Sequence, residues 1–347
     1  MTSSSALCLK YGCLPSLLKP TSPSGLGIIA FNRLGLINMS IKKIRIATRE
    51  SPLALWQAEH VKARLMQNDP GLEVELVTMQ TQGDKLLDTP LSVVGGKGLF
   101  TKELEQALYD HKADIAVHSV KDVTIDMPDG LLLSVFLKRE NPHDIFISSK
   151  YKSINELPNG AVVGTSSLRR QCQLKAWRGD LNIKDLRGNI GTRLRKLDDR
   201  KYDAIILAAA GIIRLGLEDR ISEIISMDII LPAIGQGAIG LQVRGGDHDV
   251  LEKIRSLNDD TTQQQVETER IVSRRLFGGC QLPIAAHAEI DQDCITVRGM
   301  VGRVDGSEII QDTVSGSLQE RDALGLQLAE NLLEKGADKI LNELLQE

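Results

Sequence analysis

The sequence predicts two similar, doubly wound α/β lobes around a cleft, followed by a small C-terminal α+β domain. Three observations carry that expectation. From Lys43 onward, short buried strands alternate with amphipathic helices, the grammar of parallel sheets. The grammar then repeats. TKELEQALYDHKADIAVHS (101–119) and TRLRKLDDRKYDAIILAAA (192–210) both run from Thr through a Leu-bearing helix and a charged loop to an Asp and a buried strand. From Thr261 the character changes, and consecutive strands lie between two helices.

The elements follow in order. IRIAT (44–48) is a β-rich run, and SPLALWQAEHVKARLMQ (51–67) has helical apolar spacing with Ser51 at the cap and Pro52 in the first turn. LEVELVTM (72–79) alternates as a strand does, GGKGLFTKELEQALYDH (95–111) leads from glycines into a helix, and ADIAVHSV (113–120) is a buried strand. NGAVVGTSSLRRQCQLKAW (159–177) reads as strand, tight Gly turn and helix; 192–211 reads as helix, charged loop and an almost fully apolar strand. NPHDIF (141–146) and LPAIGQGAIG (231–240) carry Pro or Gly where a chain can bend. They are the expected crossovers between lobes, with the chain returning to the first lobe after 237. TTQQQVETERIVSRRLF (261–277) is a helix, three strands follow it, and a single long helix is expected over 318–345. The expected domains are 41–138 with 238–257, then 142–232, then 260–347.

Composition narrows the function. A chain of 347 residues with 42% hydrophobic residues has room for two or three ordinary cores. A net charge of −4 and only 3% aromatic residues argue against a nucleic-acid partner bound through bulk charge or base stacking. No run of 18 apolar residues occurs, so no membrane-spanning helix is expected. The five cysteines (8, 13, 172, 280, 294) are odd in number and scattered, a reduced intracellular pattern and neither a disulfide framework nor a metal site. Residues 1–49 hold seven basic side chains and no acid, leaving a net of −11 over 50–347. Two origins fit this Ser-, Pro- and Gly-rich opening: an organelle transit segment, or upstream sequence preceding a true start at Met39. The second is favoured, and 1–40 are expected to be disordered.

Anion chemistry is the first candidate function. GTSSLRR (164–170) places Thr165, Ser166 and Ser167 at a helix N-terminus, with Arg169 and Arg170 as planar carboxylate forks. LRGNIGTR (186–193) repeats the device with Arg187, Gly188, Asn189 and Arg193; Arg214 and Arg49 follow other strand ends. Each alone reads equally as a helix cap beside solvated arginines. Four such sites at strand ends favour a cleft for a polycarboxylate. In HSVKD (118–122), Lys121 and Asp122 end a buried strand, as a surface ion pair or as a carboxylate that stabilises a cation and moves protons. Cys280 in LFGGCQLPI is a small buried hydrophobe on local grounds, or else an attachment point exposed by its glycines. GGKG (95–98) does not complete the phosphate-loop motif, and no nucleotide site is expected.

IRIATRESPLALWQ, GGKGLFTKELE, DIAVHSVKD, GTSSLRRQCQL, LRGNIGTRL, DAIILAAAG, LPAIGQGA and GGCQLPI occur in this order, and with them the chain closely resembles the porphobilinogen deaminase (hydroxymethylbilane synthase) family in its bacterial form, over about residues 42–347. Plant forms are less alike in these stretches, which favours the start at Met39. The resemblance implies lobes like those of type-II periplasmic binding proteins and a third domain whose cysteine, here Cys280, carries a covalent dipyrromethane primer. It implies stepwise addition of four porphobilinogen molecules to that primer, then hydrolytic release of hydroxymethylbilane. By motif position, Asp122 is the catalytic aspartate. Lys121, Ser119, Thr165, Ser166, Ser167, Arg169, Arg170, Arg193, Gly188 and Asn189 hold the primer. Arg49, Ser51, Gln57, Arg187 and Arg214 take the incoming substrate. The implied partners are porphobilinogen and the growing polypyrrole, with no metal, nucleic acid or membrane. A cytoplasmic monomer is expected, or a plastid one if 1–38 are a transit segment. One departure stands out: some relatives have Lys where this chain has Val93, so loop gating or cleft charge is expected to differ. The rival from another class is a non-catalytic, two-lobed anion-binding protein. It would need export and would have no use for Cys280.

Overall fold

A computed structural model describes residues 41–85, 98–276 and 282–346. The expectations for residues 1–40, Val93 and Cys280 fall outside these ranges. Strand β1 (Lys43–Arg49) buries Ile44 and Ile46 on one face and Ala47 on the other, so its apolar residues are not confined to alternate positions. Helix α1 (Pro52–Asn68) starts where the Ser51 hydroxyl accepts the Ala54 N–H at 3.4 Å, and it packs Ala58, Val61 and Leu65 onto the sheet. There follow β2 (Glu73–Met79), the short α2 (Gln82–Lys85), α3 (Lys102–Tyr109), β3 (Ile115–Ser119), a 3₁₀ turn at Val120–Asp122 and β4 (Leu131–Phe136).

The second lobe holds β5 (Asp144–Ile147), β6 (Val162–Gly164), α4 (Leu168–Trp177), β7 (Asn182–Lys184), α5 (Ile190–Asp198), β8 (Ala204–Ala208), α6 (Ala209–Arg214) and β9 (Glu223–Ile224). The chain then returns as β10 (Ile239–Arg244). The two sheets have matching orders, β2-β1-β3-β10-β4 and β7-β6-β8-β5-β9. In each, the first three strands are parallel and the fourth runs antiparallel. The sequence repeat is thereby realised in space: α3–β3 and α5–β8 supply the same parallel third strand. The antiparallel strands are the two that arrive from the other lobe, β10 in the first sheet and β5 in the second.

The connecting segments lie side by side. Glu140 N–H donates to Gly237 O at 3.1 Å, and Arg139 Nε donates to Gln236 O at 2.8 Å. Gly237 has a φ of +91°, and a side chain there would run into the Glu140 carbonyl. Both segments are tied to the last domain by Glu269. This fully buried carboxylate accepts from Arg139 Nη1 at 2.6 Å, Gly235 N–H at 2.7 Å and Ala288 N–H at 2.9 Å.

Helix α7 (His248–Ile254) packs Val250 and Ile254 into the first-lobe core, and the last domain is built from α8 (Asp260–Arg275) and the antiparallel sheet β11 (Ile284–Asp291), β12 (Cys294–Gly302) and β13 (Ile309–Ser317). The single helix expected over 318–345 is two helices, α9 (Arg321–Glu334) and α10 (Ala337–Gln346), preceded by a 3₁₀ turn. Gly336, at φ +102°, ends α9 in the left-handed conformation. The break lets Ala337, Ile340 and Leu341 turn into the same core as Leu328 and Leu332. Among the described residues no helix is long and apolar enough to cross a membrane.

Gly237→Ala is expected to lower stability by about 1–3 kcal/mol, because it combines a disfavoured φ with a backbone collision. Urea denaturation beside Gly216→Ala, where a positive φ meets open space, separates the two contributions.

Candidate active site

Ligands of open α/β sheets gather where parallel strands end. Here β1, β3, β6 and β8 end at Arg49, Ser119, Gly164 and Ala208, each followed at once by candidate residues. Arg169 and Arg170 sit in the first turn of α4. Each is only 5% exposed, so neither is a solvated surface arginine. Both turn onto Asp144, which is fully buried at the start of β5. Arg169 Nη1 donates to Asp144 Oδ2 at 2.7 Å and to Leu231 O at 2.6 Å; Arg170 Nη2 and Nε donate to Asp144 Oδ1 at 2.6 and 3.0 Å. Burial by itself would raise the Asp144 pKa. The charges of Arg169 and Arg170 and their hydrogen bonds overcome it and hold the carboxyl well below its ordinary range.

The network crosses to the first lobe through Gln236. Its Nε2 donates to Asp144 Oδ1 at 3.0 Å, and its Oε1 accepts from Lys121 Nζ at 3.4 Å. Lys121 belongs to the 3₁₀ turn pinned by the Val120 N–H to Ala238 O bond at 3.0 Å. Burial pushes its ammonium down to about 8; Asp122 works against that shift, and Arg170 reinforces it. Arg193, whose Nε donates to Gly188 O at 2.7 Å, is pushed down to about 10 by burial and by Arg170, with Asp122 opposing. Asp122 therefore lies within electrostatic reach of Lys121 from its own lobe and of Arg193 from the other. Among the described residues its carboxylate makes no hydrogen bond.

The remaining candidates are placed by local structure. Asn189 caps α5 by accepting the Thr192 N–H at 2.9 Å, and Gly188 adopts φ +105°. Thr165 Oγ1 accepts the Ser167 N–H, while the Ser166 hydroxyl bridges to both the N–H and the carbonyl of Leu186. Ser167 occupies the cap position of α4 without making a side-chain cap bond. Gln57 and Ser119 are hydrogen bonded to each other at 2.9 Å. Arg214, buried and pushed down to about 10 by burial, donates to Gly237 O at 2.7 Å and lies 5.9 Å from the Trp56 ring centre. Arg49 is paired with Asp84, and Arg187 is half-buried beside the Arg193 loop. His118 is bonded to Gln242 at 2.8 Å inside the first lobe, and burial pushes it down to about 4. Sequence reasoning missed Asp144 and Gln236 as parts of this site. The available signal was an acid opening the wholly apolar strand IFI, since a carboxylate there needs a buried cation.

Two family models match the chain. One, described as "Porphobilinogen deaminase, dipyromethane cofactor binding domain", matches residues 44–252; the other, "Porphobilinogen deaminase, C-terminal domain", matches 263–334. The chain belongs to the porphobilinogen deaminase family. It is a transferase, a hydroxymethylbilane synthase, that condenses four porphobilinogen molecules stepwise onto a dipyrromethane primer and releases hydroxymethylbilane. The chain is also similar, at low identity, to solved binding proteins. A periplasmic substrate-binding protein of an ABC transporter from Coxiella burnetii is 18% identical, covering 62% of this chain and 91% of its own, at a TM-score of 0.39. A nutrient-binding protein from Burkholderia cenocepacia, bound to methionine, is 16% identical, covering 67% and 96%, also at 0.39. The family match favours the enzyme over the non-catalytic anion binder.

The donor set fits a dipyrromethane. Its acetate and propionate groups call for several cationic and N–H donors, and Lys121 and Arg193, half-buried beside Asp122, and the buried Arg214 are of that type.

The lowered Lys121 pKa sets a stability test. Between pH 8 and 10.5 the folded deaminase has released this proton and the unfolded chain has not, so the Lys121 contribution to stability rises with pH across that window. Urea denaturation of wild type minus Lys121→Met should show that rise. A flat difference would mean the ammonium titrates normally.

Proposed function

We propose that Asp122 is the catalytic carboxylate of this deaminase and that Cys280 carries the dipyrromethane. The supporting observation is the contrast between two acids. Asp144 is committed to Arg169 and Arg170, whereas Asp122 faces Lys121 and Arg193 with no hydrogen bond to a described residue. Two carboxylates in different environments divide roles: one builds the site, the other acts in it.

When bound, the dipyrromethane supplies the electron-rich pyrrole carbon on which the chain grows. Arg169, Arg170 and Arg193 hold its carboxylates through the N–H donors that Asp144 and the backbone carbonyls leave over, and Lys121 does so as a point charge, with the hydroxyls of Ser119, Thr165, Ser166 and Ser167 and the Gly188–Asn189 turn beside them. Arg49, Ser51, Gln57, Arg187 and Arg214 orient the incoming porphobilinogen. Asp122 holds positive charge at a substrate pyrrole nitrogen as ammonia departs and accepts the proton released after the new bond forms. The partly buried setting strengthens every one of these interactions, because little water competes for them.

The domain division follows the same reading. Residues 41–138 with 238–257, 142–232 and 260–347 each enclose one sheet. The enzyme works as a cytoplasmic monomer, with a plastid the alternative if residues 1–38 are a transit segment. The free thiols of Cys172 and Cys294 accord with a reducing compartment.

Intact mass and turnover test the two assignments together. Asp122→Asn should keep the primer-sized mass excess while turnover falls by about 10²–10⁴-fold. Cys280→Ser should lack the excess altogether. Unchanged turnover in the first variant, or a retained excess in the second, would remove that residue from its role.

A further inference from the structure

We propose that Asp84 is a positioning residue for substrate binding, acting through Arg49. The inference rests on the reading of Arg49 as a ligand for a substrate carboxylate, and it adds residues that no motif singled out. Asp84 lies on α2 and meets Arg49 at the end of β1. Its Oδ2 accepts from Arg49 Nε at 3.1 Å, and its Oδ1 is paired with Arg49 Nη2. The contact uses the Nε–Nη2 edge of the guanidinium. A five-donor fork held by that edge still presents its Nη1–Nη2 edge to a second carboxylate.

The carboxylate is itself fixed. Thr81, fully buried, donates to Asp84 Oδ2 from its hydroxyl at 2.8 Å and from its N–H at 3.2 Å. The flat face of the guanidinium lies over the Phe100 ring, 4.4 Å from its centre. Phe100 is held in turn by Gly83, where any side chain would collide with the ring, and by the Gly83 N–H to Leu99 O bond at 3.0 Å. Residues 81–84, TQGD, thus form a cradle: Thr81 fixes Asp84, Gly83 seats Phe100, and both fix Arg49. A long side chain pinned in this way loses less freedom when a carboxylate docks, so the cradle acts on binding more than on the chemical step.

A kinetic double-mutant cycle tests this in the primer-loaded enzyme with porphobilinogen as substrate. Asp84→Asn should raise KM about tenfold with kcat changed less than about twofold, and it should add nothing in an Arg49→Leu background. Phe100→Leu provides the same cycle if Asp84→Asn does not fold. An unchanged KM in Asp84→Asn, or a fully additive loss in the double variant, would overturn the inference while leaving Arg49 in its role. A silent Arg49→Leu would overturn the reading of Arg49 and the inference with it.

Discussion

Two adjacent guanidinium groups cannot be buried without a buried carboxylate to hold them, and much of this molecule is arranged around that constraint. Asp144 meets it. Arg169 and Arg170 reach it from the first turn of α4, β5 begins at it, and Gln236 joins it from the segment returning to the first lobe. Removing three ions from water costs more than their mutual attraction recovers unless every hydrogen bond is made, so such a cluster does little for net stability. What it provides is position. It fixes where the crossover enters the second sheet and where the helix bearing the arginines begins.

Glu269 solves the same problem at the last domain. Its carboxylate satisfies Arg139 and two backbone N–H groups, with His287 Nδ1 3.3 Å away. Burial would lower the His287 pKa, yet hydrogen bonding to Glu269 and Glu289 and the charge of Glu269 raise it overall. Two compensated charge clusters thus brace the connecting segments, one toward the second lobe and one toward the small domain. Asp122 stands apart from both clusters: among the described residues its carboxylate makes no hydrogen bond. Burial lowers the pKa of Lys121 and Arg193, and the Asp122 charge opposes both shifts.

Most of the architecture was legible because it rests on local patterns. Doubly buried strands such as IRIAT and DAIILA are apolar on both faces, Ser51 and Asn189 announce their helices, and the 101–119 and 192–210 repeat maps onto matching strands of two sheets. Short elements such as β4 and α7 escaped the sequence reading, and the final helix, read as one, failed at Gly336. Glycine inside a helical pattern is compatible with continuation, and only the demand to bury Ala337 and Ile340 made it a break. Site chemistry was less legible. Arginines advertise an anion but not which anion, and Arg169 and Arg170 turned out to have a resident one.

The sequence by itself determined the fold class, most of the longer strands and helices, and the family, and it pointed to arginines at strand ends as candidates for an anion. Those follow from periodicity, capping and long motifs, all carried by residues near one another in the chain. Only the tertiary structure decided which charges compensate which. Asp144 lies 25 residues from Arg169, Arg139 lies 130 from Glu269, and Asp84 lies 35 from Arg49. Coulomb interactions depend on distance in space and on burial, and neither can be read along the chain until the sheets have closed around them.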